Sequence, residues 1–321
     1  MTILVVGGLN GFVGSNTTEA LVHLGRDCVV TRHERKEIPR FLQPFIDQGR
    51  VIIEDADATS IDDLRNIGEK HQIDGIVNVG GGFSTGPKSA TWRLEGYFDM
   101  LLAAFKLGQE WKVKRITFSS TGGMYVGLGG TQNETAQVSL QNPFPASILS
   151  YQKIVEVASG EFEKASGIST ICVRLMGMFG PFQDLSQSTI NTPLNLVHAA
   201  VNGRTPDLKN AFFSFADDSV DLLYIKDMAR AIALLHTAEN LQYNVYNVSS
   251  GKTTSNRELV HSIQKAVPGF NIELPPGKFP FPPLPIIDTN RLRTDTGFTP
   301  KFDVQSAVQD YVNWLRSGNP K

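Results

Sequence analysis

The stretch Ile3-Leu4-Val5-Val6-Gly7-Gly8-Leu9-Asn10-Gly11-Phe12-Val13-Gly14 constrains this chain more than any other. An apolar strand runs into a turn in which Gly8, Gly11 and Gly14 recur at every third position. Helical spacing follows, through Val13, Thr17, Ala20, Leu21 and Leu24. Strand, glycine turn and helix in that order open a β–α–β unit. In such a unit Gly8 permits the tight turn, Gly11 lets the backbone approach a pyrophosphate, and Gly14 lets the helix pack on the strand. The helix N-terminus, with Phe12 and Val13 in its first turn, faces the phosphates with unpaired N–H groups. The pattern predicts a dinucleotide-binding turn.

The rest of the first half repeats the unit. Strands are expected at Asp27–Thr31, Val51–Ile53, Gly75–Val79, Arg115–Ser119 and Ser169–Arg174. Helices are expected at Ile61–His71, Ser89–Leu107 and Ser147–Ser166, the second with Leu94, Phe98, Leu101 and Phe105 on one face. Continuous apolar strands separated by helices mean a parallel sheet covered on both faces, and right-handed crossovers make it doubly wound. The fold class is α/β, a Rossmann sheet with a smaller, discontinuous C-terminal lobe. After Arg174 prolines become frequent, and Phe279–Pro285 (FPFPPLP) cannot be helical. One further unit, Leu222–Ile225, Lys226–Thr237 and Tyr243–Val248, is expected to return to the main sheet. The nucleotide domain should thus span 1–175 plus about 222–250, and the substrate lobe 176–221 and 251–321.

Charge and composition exclude several classes. The 321 residues carry a net charge of −2, so bulk electrostatics favour neither nucleic acid nor an acidic membrane surface. No apolar run approaches the roughly 20 residues of a membrane span, and MTILVVGG has no basic segment before its apolar run. These features predict a cytoplasmic protein. The two cysteines, Cys28 and Cys172, fall inside expected strands and read as small buried hydrophobes. The six histidines lack paired ligand spacing, so no metal site is expected.

Taken together, the motifs resemble the extended short-chain dehydrogenase/reductase family, also called the NAD-dependent epimerase/dehydratase family. Beyond the glycine turn, Asp57-Ala58 is similar to the pair that contacts adenine, and Gly96–Ala104 (GYFDMLLAA) to the fourth-helix pattern. Ser119-Ser120-Thr121 resembles the serine-rich end of strand five, and Arg174–Pro181 (RLMGMFGP) the stretch beside the nicotinamide, with Met176 at the cofactor. Asp221–Ile232 and Tyr246–Gly251 match later segments. The resemblance implies hydride chemistry at the nicotinamide and a homodimer through helices four and five; a monomer remains open.

The residue that would read the adenine ribose falls at Arg32, where NAD-type relatives carry Asp, with His33 beside it. A guanidinium can bind a 2′-phosphate with two hydrogen bonds, whereas a carboxylate repels it. NADP(H) is therefore expected over NAD(H). After strand four, Asn78-Val79-Gly80-Gly81-Gly82 replaces the alanines of relatives, which puts Gly80 and Gly81 at the cofactor.

The catalytic pattern is incomplete. The family's Tyr and Lys stand four apart on the helix after strand five. Here Leu149 lies four before Lys153, and Tyr151 only two before it, about 200° around a helix. Thr121 is expected to hold the substrate oxygen and Lys153 the nicotinamide ribose. The proton donor is left open among Tyr151 from a loop, Tyr125, water and the substrate's own hydroxyl. Relatives that act on nucleotide sugars often carry Arg where this chain has Val220, and Asn where it has Gly177. Met176, Met178, Phe179 and the Phe279–Leu284 segment suit an apolar or aromatic ligand instead. The expected activity is an NADPH-dependent reductase or dehydrogenase for a hydrophobic carbonyl or alcohol. A nucleotide-sugar epimerase or dehydratase, or a non-catalytic NADP-binding regulator, stays as the alternative.

Overall fold

A computed structural model describes residues 1–80, 90–139, 147–183, 192–209, 211–280 and 284–319. Seven parallel strands form one sheet: β1 (Thr2–Val6), β2 (Asp27–Arg32), β3 (Val51–Asp55), β4 (Gly75–Asn78), β5 (Arg115–Thr121), β7 (Ser169–Leu175) and β11 (Val245–Val248). Their order is β11-β7-β5-β4-β1-β2-β3. The chain reverses its direction of winding between β1 and β4. In doubly wound sheets that switch point, at the carboxyl ends of the strands, is where ligands bind.

Alternation along each strand divides the interior into two layers. Ile3 and Val5 of β1 face α1 (Phe12–His23) and α7 (Ile225–Thr237), with Cys28, Val30 and Ile171. Leu4 and Val6 face the other way, onto α3 (Ile61–Lys70), α4 (Ala90–Glu110) and α5 (Ser147–Ser166), with Ile76, Ile116 and Cys172. A strand buried on both faces must be apolar at every position, which is why these strands read as unbroken runs. Both cysteines are free and buried, and loss of water around each thiol pushes its pKa up to about 12.

At the amino ends of the strands Arg115 donates to the carbonyls of Leu235, His236 and Ala238, which satisfies the last turn of α7. On α4, Leu101 and Phe105 point inward as expected, but Leu94 and Phe98 remain 41% and 36% exposed. Two further elements lie in this half: the short α2 (Gln43–Asp47) and β6 (Thr131–Gln132).

The lobe departs from expectation in one place. Leu223–Tyr224 (β10) does not join the main sheet; it pairs in parallel with β8 (Met178–Phe179), and only β11 returns. The cause is local. The chain leaves the sheet at Gly177, whose carbonyl accepts from the Leu223 N–H at 2.7 Å and so holds β10 beside β8. Next to it β9 (Ser219–Asp221) pairs antiparallel with β12 (Thr253–Ser255). Helices α6 (Thr192–Val201), α8 (Asn256–Ala266) and α10 (Val304–Arg316) pack on one another beyond β8. The elements β13 (Ile286–Ile287) and α9 (Asn290–Thr296) complete the chain. Leu194, Leu259 and Val308 of the three packed helices belong to the same buried cluster as Ile3 and Val173, so the core runs without a break from sheet to lobe.

Candidate functional site

The glycine turn is folded around the carbonyl of Gly7. Gly7 itself takes the left-handed conformation, φ +77°, so the tight turn falls one residue earlier than the spacing predicts. Gly8 is required for a different reason: a Cβ there would lie 2.8 Å from the Val5 carbonyl oxygen and 2.9 Å from Val30. Cβ atoms on Gly11 and Gly14 would lie 2.6 and 2.1 Å from the Gly7 oxygen. The Gly7 N–H donates to Thr31 Oγ1 at 2.8 Å, which ties the turn to β2. Gly80 backs onto it, its Cα 3.2 Å from where a Gly7 Cβ would be. Gly81 lies outside the described residues.

α1 starts with no side-chain cap at Gly11 and no acidic residue in its first turn. The N–H groups of Phe12, Val13 and Gly14 therefore face outward without intrahelical acceptors, as an anion requires. This cradle, which any Cβ would fill, fits a pyrophosphate.

At the end of β2, Arg32 forks Asp55 through Nε and Nη2, both at 2.7 Å, with Lys36 on the same carboxylate at 3.0 Å. These hydrogen bonds hold the Asp55 carboxyl well below the usual range. They also fix the guanidinium plane and leave its Nη1 edge for another partner. His33 Nδ1 lies 3.8 Å from Asp57. Asp57 accepts from the N–H and hydroxyl of Thr59 and so shapes the loop before α3, with Ala58 half-buried in that loop.

At the end of β5, Thr121 Oγ1 accepts from the Gly123 N–H at 3.0 Å, capping the short 3-10 turn Gly122–Tyr125. Met176 lies over this turn, its Sδ 2.8 Å from where a Gly122 Cβ would sit. Leu149, buried on α5, reaches the same place: its Cδ2 is 3.0 Å from a Cβ on Gly123, and Thr121 Oγ1 is 3.1 Å from that point. An apolar side chain thus stands beside the threonine hydroxyl where the family carries its phenol.

Neither tyrosine candidate replaces that phenol. Tyr151 points into the core and stacks on Tyr97, with ring centroids 4.2 Å apart, and burial raises its pKa. α5 already starts at Ser147, so Tyr151 has no loop from which to swing. Tyr125 is fully buried and fixed between Asn247, to which it donates at 2.8 Å, and Arg174. Arg174 in turn forks Glu156 at 2.8 and 2.7 Å, and Ser120 donates to the same carboxylate at 2.6 Å. The Lys153 ammonium donates to the Ser139 carbonyl at 2.6 Å.

On the lobe side, Asp221 is 1% exposed and its two oxygens accept from Ser249, Ser250, Gly251 and Ile287. Gly177 has φ +56°, and a Cβ on it would fall 1.9 Å from the Asp221 carbonyl oxygen. Asparagine is therefore excluded there by backbone contact. Val220 is paired with Thr254 in the β9–β12 ladder. Phe179 is 1% exposed and packs on Tyr224, and with it lines a cavity on the lobe side, away from Thr121. Phe279 packs edge-on against Phe212 and tilted against Phe213 and Phe215, while 281–283 lie outside the described residues. A cavity of about 410 Å³ between Tyr224, Lys252 and Phe302 includes none of the residues at the ends of β1 and β5. Among the described residues no three metal-ligating side chains converge, and no helix is long and apolar enough to cross a membrane.

Residues 3–249 match the NAD dependent epimerase/dehydratase family. The chain belongs to that family. It is accordingly an enzyme of the extended short-chain dehydrogenase/reductase type with a nicotinamide cofactor. A UDP-glucose 4-epimerase from Lacticaseibacillus casei is 25% identical over 98% of this chain and 96% of its own length. Among solved structures, L-threonine 3-dehydrogenase from Trypanosoma brucei superposes with a TM-score of 0.80 at 17% identity, covering 99% of this chain and 98% of that one. A dTDP-glucose 4,6-dehydratase from Bacillus anthracis, in complex with NAD, gives 0.78 at 18% identity, covering 99% and 97%. These likenesses share the fold.

Sequence reasoning missed two features. The buried Arg174–Glu156–Ser120 set could have been found from Glu156, whose charge falls on the inward line of α5. Gln152 is 9% exposed and its Oε1 has no partner among the described residues, a fact no periodicity reveals.

Proposed function

We propose that this protein is a nicotinamide-dependent oxidoreductase that moves a hydride to or from the carbonyl or alcohol carbon of a small molecule, with NADP(H) preferred. The observation that carries the reading is the Gly7-centred turn beneath an uncapped α1, with the Thr121 hydroxyl and Met176 at the neighbouring strand ends. The dinucleotide supplies the hydride at C4 of its nicotinamide. Gly8, Gly11, Phe12, Val13 and Gly14 hold its pyrophosphate, Asp57 and Ala58 the adenine side, and Gly80 the floor of the turn. Arg32, with its Nη1 edge open and His33 beside it, takes a 2′-phosphate. The Thr121 hydroxyl donates to the substrate oxygen, since its own hydrogen has no acceptor among the described residues. The proton for the alkoxide comes from water or from a substrate hydroxyl, because Leu149 occupies the place of the phenol. Segments 176–221 and 251–321 form the substrate side, where Met176 and Met178 offer apolar surface. Exposed Leu94, Phe98, Leu102, Ile154 and Val157 on α4 and α5 support a homodimer through those helices.

A second reading, a nucleotide-sugar epimerase, is favoured by the relation to UDP-glucose 4-epimerases along the whole chain. Gly177 and Val220, which offer no phosphate or hydroxyl handle, oppose it. Incubating the protein with NADPH and a panel of aromatic and aliphatic ketones, and separately with UDP-sugars, decides between them. Loss of reduced-nicotinamide absorbance with a ketone is expected. Interconversion of UDP-sugar epimers without net oxidation, and no ketone turned over, would overturn the reductase reading.

A further inference from the structure

The carboxyl end of β2 holds a carboxylate between two cations. Arg32 and Asp55 are the last pair of the β2–β3 ladder. Asp55 takes the Arg32 fork at 2.7 Å, and the oxygen that meets Arg32 Nε also meets the Lys36 ammonium at 3.0 Å. The loop that carries Lys36 is pinned to the glycine turn: Asn10 Nδ2 donates to the Glu37 carbonyl, and the Gly7 N–H to Thr31 just before Arg32. Both cations therefore lie beside that turn, one on β2 and one on the loop after it. The next carboxylate along, Asp57, is engaged by Thr59 and faces His33.

The three charged side chains sit in water: Arg32 is 25%, Asp55 56% and Lys36 66% exposed. Exposed ion pairs contribute little net stability, because solvent and salt screen them. Their partners are exchanged at small cost. A carboxylate that occupies both cations is then a competitor for an arriving anion, not a fixed strut of the fold.

We propose that Asp55 sets how strongly this protein distinguishes a dinucleotide with a 2′-phosphate from one without, by competing with that phosphate for Arg32 and Lys36. The proposal rests on the nicotinamide reading above. Arg32, Lys36 and Asp55 together carry one net positive charge, and a phosphate monoester brings close to two negative ones. A 2′-phosphate takes the open Nη1 edge of Arg32 and draws Lys36 from Asp55, and the carboxylate left behind repels it. A 2′-hydroxyl has no charge to draw either cation, so Asp55 keeps both. The carboxylate thus narrows a preference that Arg32 alone would make wide, and the site keeps affinity for NADH.

Calorimetric titration of NADPH and NADH into wild type, Asp55→Asn and Lys36→Met, at about 0.1 M and about 1 M salt, tests this. Asparagine keeps a carbonyl for the Arg32 fork and removes the charge. At the lower salt Asp55→Asn is expected to bind NADPH about fivefold more tightly and NADH within about twofold of wild type. At the higher salt, where the screening length falls to about 3 Å, the gain should shrink below about twofold. Lys36→Met should weaken NADPH about threefold at the lower salt and leave NADH within about twofold. A carboxylate that only oriented Arg32 would give the opposite sign, with NADPH weaker in Asp55→Asn. That result, an equal shift in both dinucleotides, or an unchanged NADPH affinity in either variant would overturn the proposal and leave the nicotinamide reading standing. Wild-type protein that bound neither dinucleotide would overturn that reading, and the role of Asp55 with it.

Discussion

Gly177→Asn restores the polar residue that nucleotide-sugar relatives tend to carry, and it should unfold the site rather than convert it. Gly177 holds φ +56°. Asparagine tolerates that conformation better than most residues, so the dihedral contributes at most about 1–2 kcal/mol. The larger cost is contact. The new Cβ would fall 1.9 Å from the Asp221 carbonyl oxygen and 2.9 Å from its carbon. No rotamer relieves a clash between Cβ and backbone, so β9 must move. Moving it strains the 2.7 Å bond from the Leu223 N–H to the Gly177 carbonyl, and the carboxylate that five donors surround. Overpacking of this kind costs about 1–3 kcal/mol, and one lost bond to a buried carboxylate about 1.5–3 kcal/mol. The sum is about 2.5–8 kcal/mol. At roughly 2 °C per kcal/mol for a chain of this size, the melting temperature should fall by about 5–16 °C. Thermal melts followed by circular dichroism measure it. Gly177→Ala should fall nearly as far, because the offending atom is Cβ and not the amide. Either variant melting within about 2 °C of wild type would refute the reasoning.

Four further outcomes follow from the same geometry. Arg32→Ala should weaken NADPH at least tenfold and leave NADH nearly unchanged, measured by titration at physiological salt; wild-type protein that binds NADH more tightly removes the NADP(H) preference. Burial, with Arg204 near one and Arg115 near the other, lowers the pKa of His198 to about 4 and of His236 to about 3, from an ordinary value of 6.5. Both stay neutral when folded, so their contribution is complete above about pH 6.5 and is lost as pH falls toward 4, by roughly 1–1.5 kcal/mol per pH unit for each; urea melts between pH 7 and 4.5 should show the decline, and a flat profile would contradict it. Leu149→Tyr places a phenol beside Thr121 and should raise ketone turnover by about 100-fold, the contribution of a general acid; no gain would mean that proton supply does not limit the wild type. Gly14→Ala, with its Cβ 2.1 Å from the Gly7 oxygen, should abolish dinucleotide binding in a titration, and retained micromolar affinity would contradict the cradle.

What the sequence could and could not convey divides along physical lines. The doubly wound parallel sheet was legible because a strand covered on both faces needs an apolar residue at nearly every position, as in Ile3–Val6 and Cys28–Val30, and only helices can link such parallel strands. Where a residue's role depends on one neighbour, spacing was silent. Gly7 and Gly8 are equivalent in sequence, yet only Gly7 takes the positive φ, because Gly8 lies against Val5 and Val30. Leu94 and Phe98 share helical spacing with Leu101 and Phe105, yet they stay 41% and 36% exposed. Phe179 looks as suited to a ligand as Met176 and is instead core, since a two-residue strand with β10 turns it under the lobe. The catalytic helix shows the limit most sharply. The broken Tyr–Lys spacing was plain in the letters, and so was the leucine four before Lys153. The depth of Gln152 was not, because adjacent residues on one helix differ only in what the rest of the fold puts in front of them. On α5 the buried side-chain atoms without a partner among the described residues belong to Gln152 and Ser159, and spacing marks neither of them.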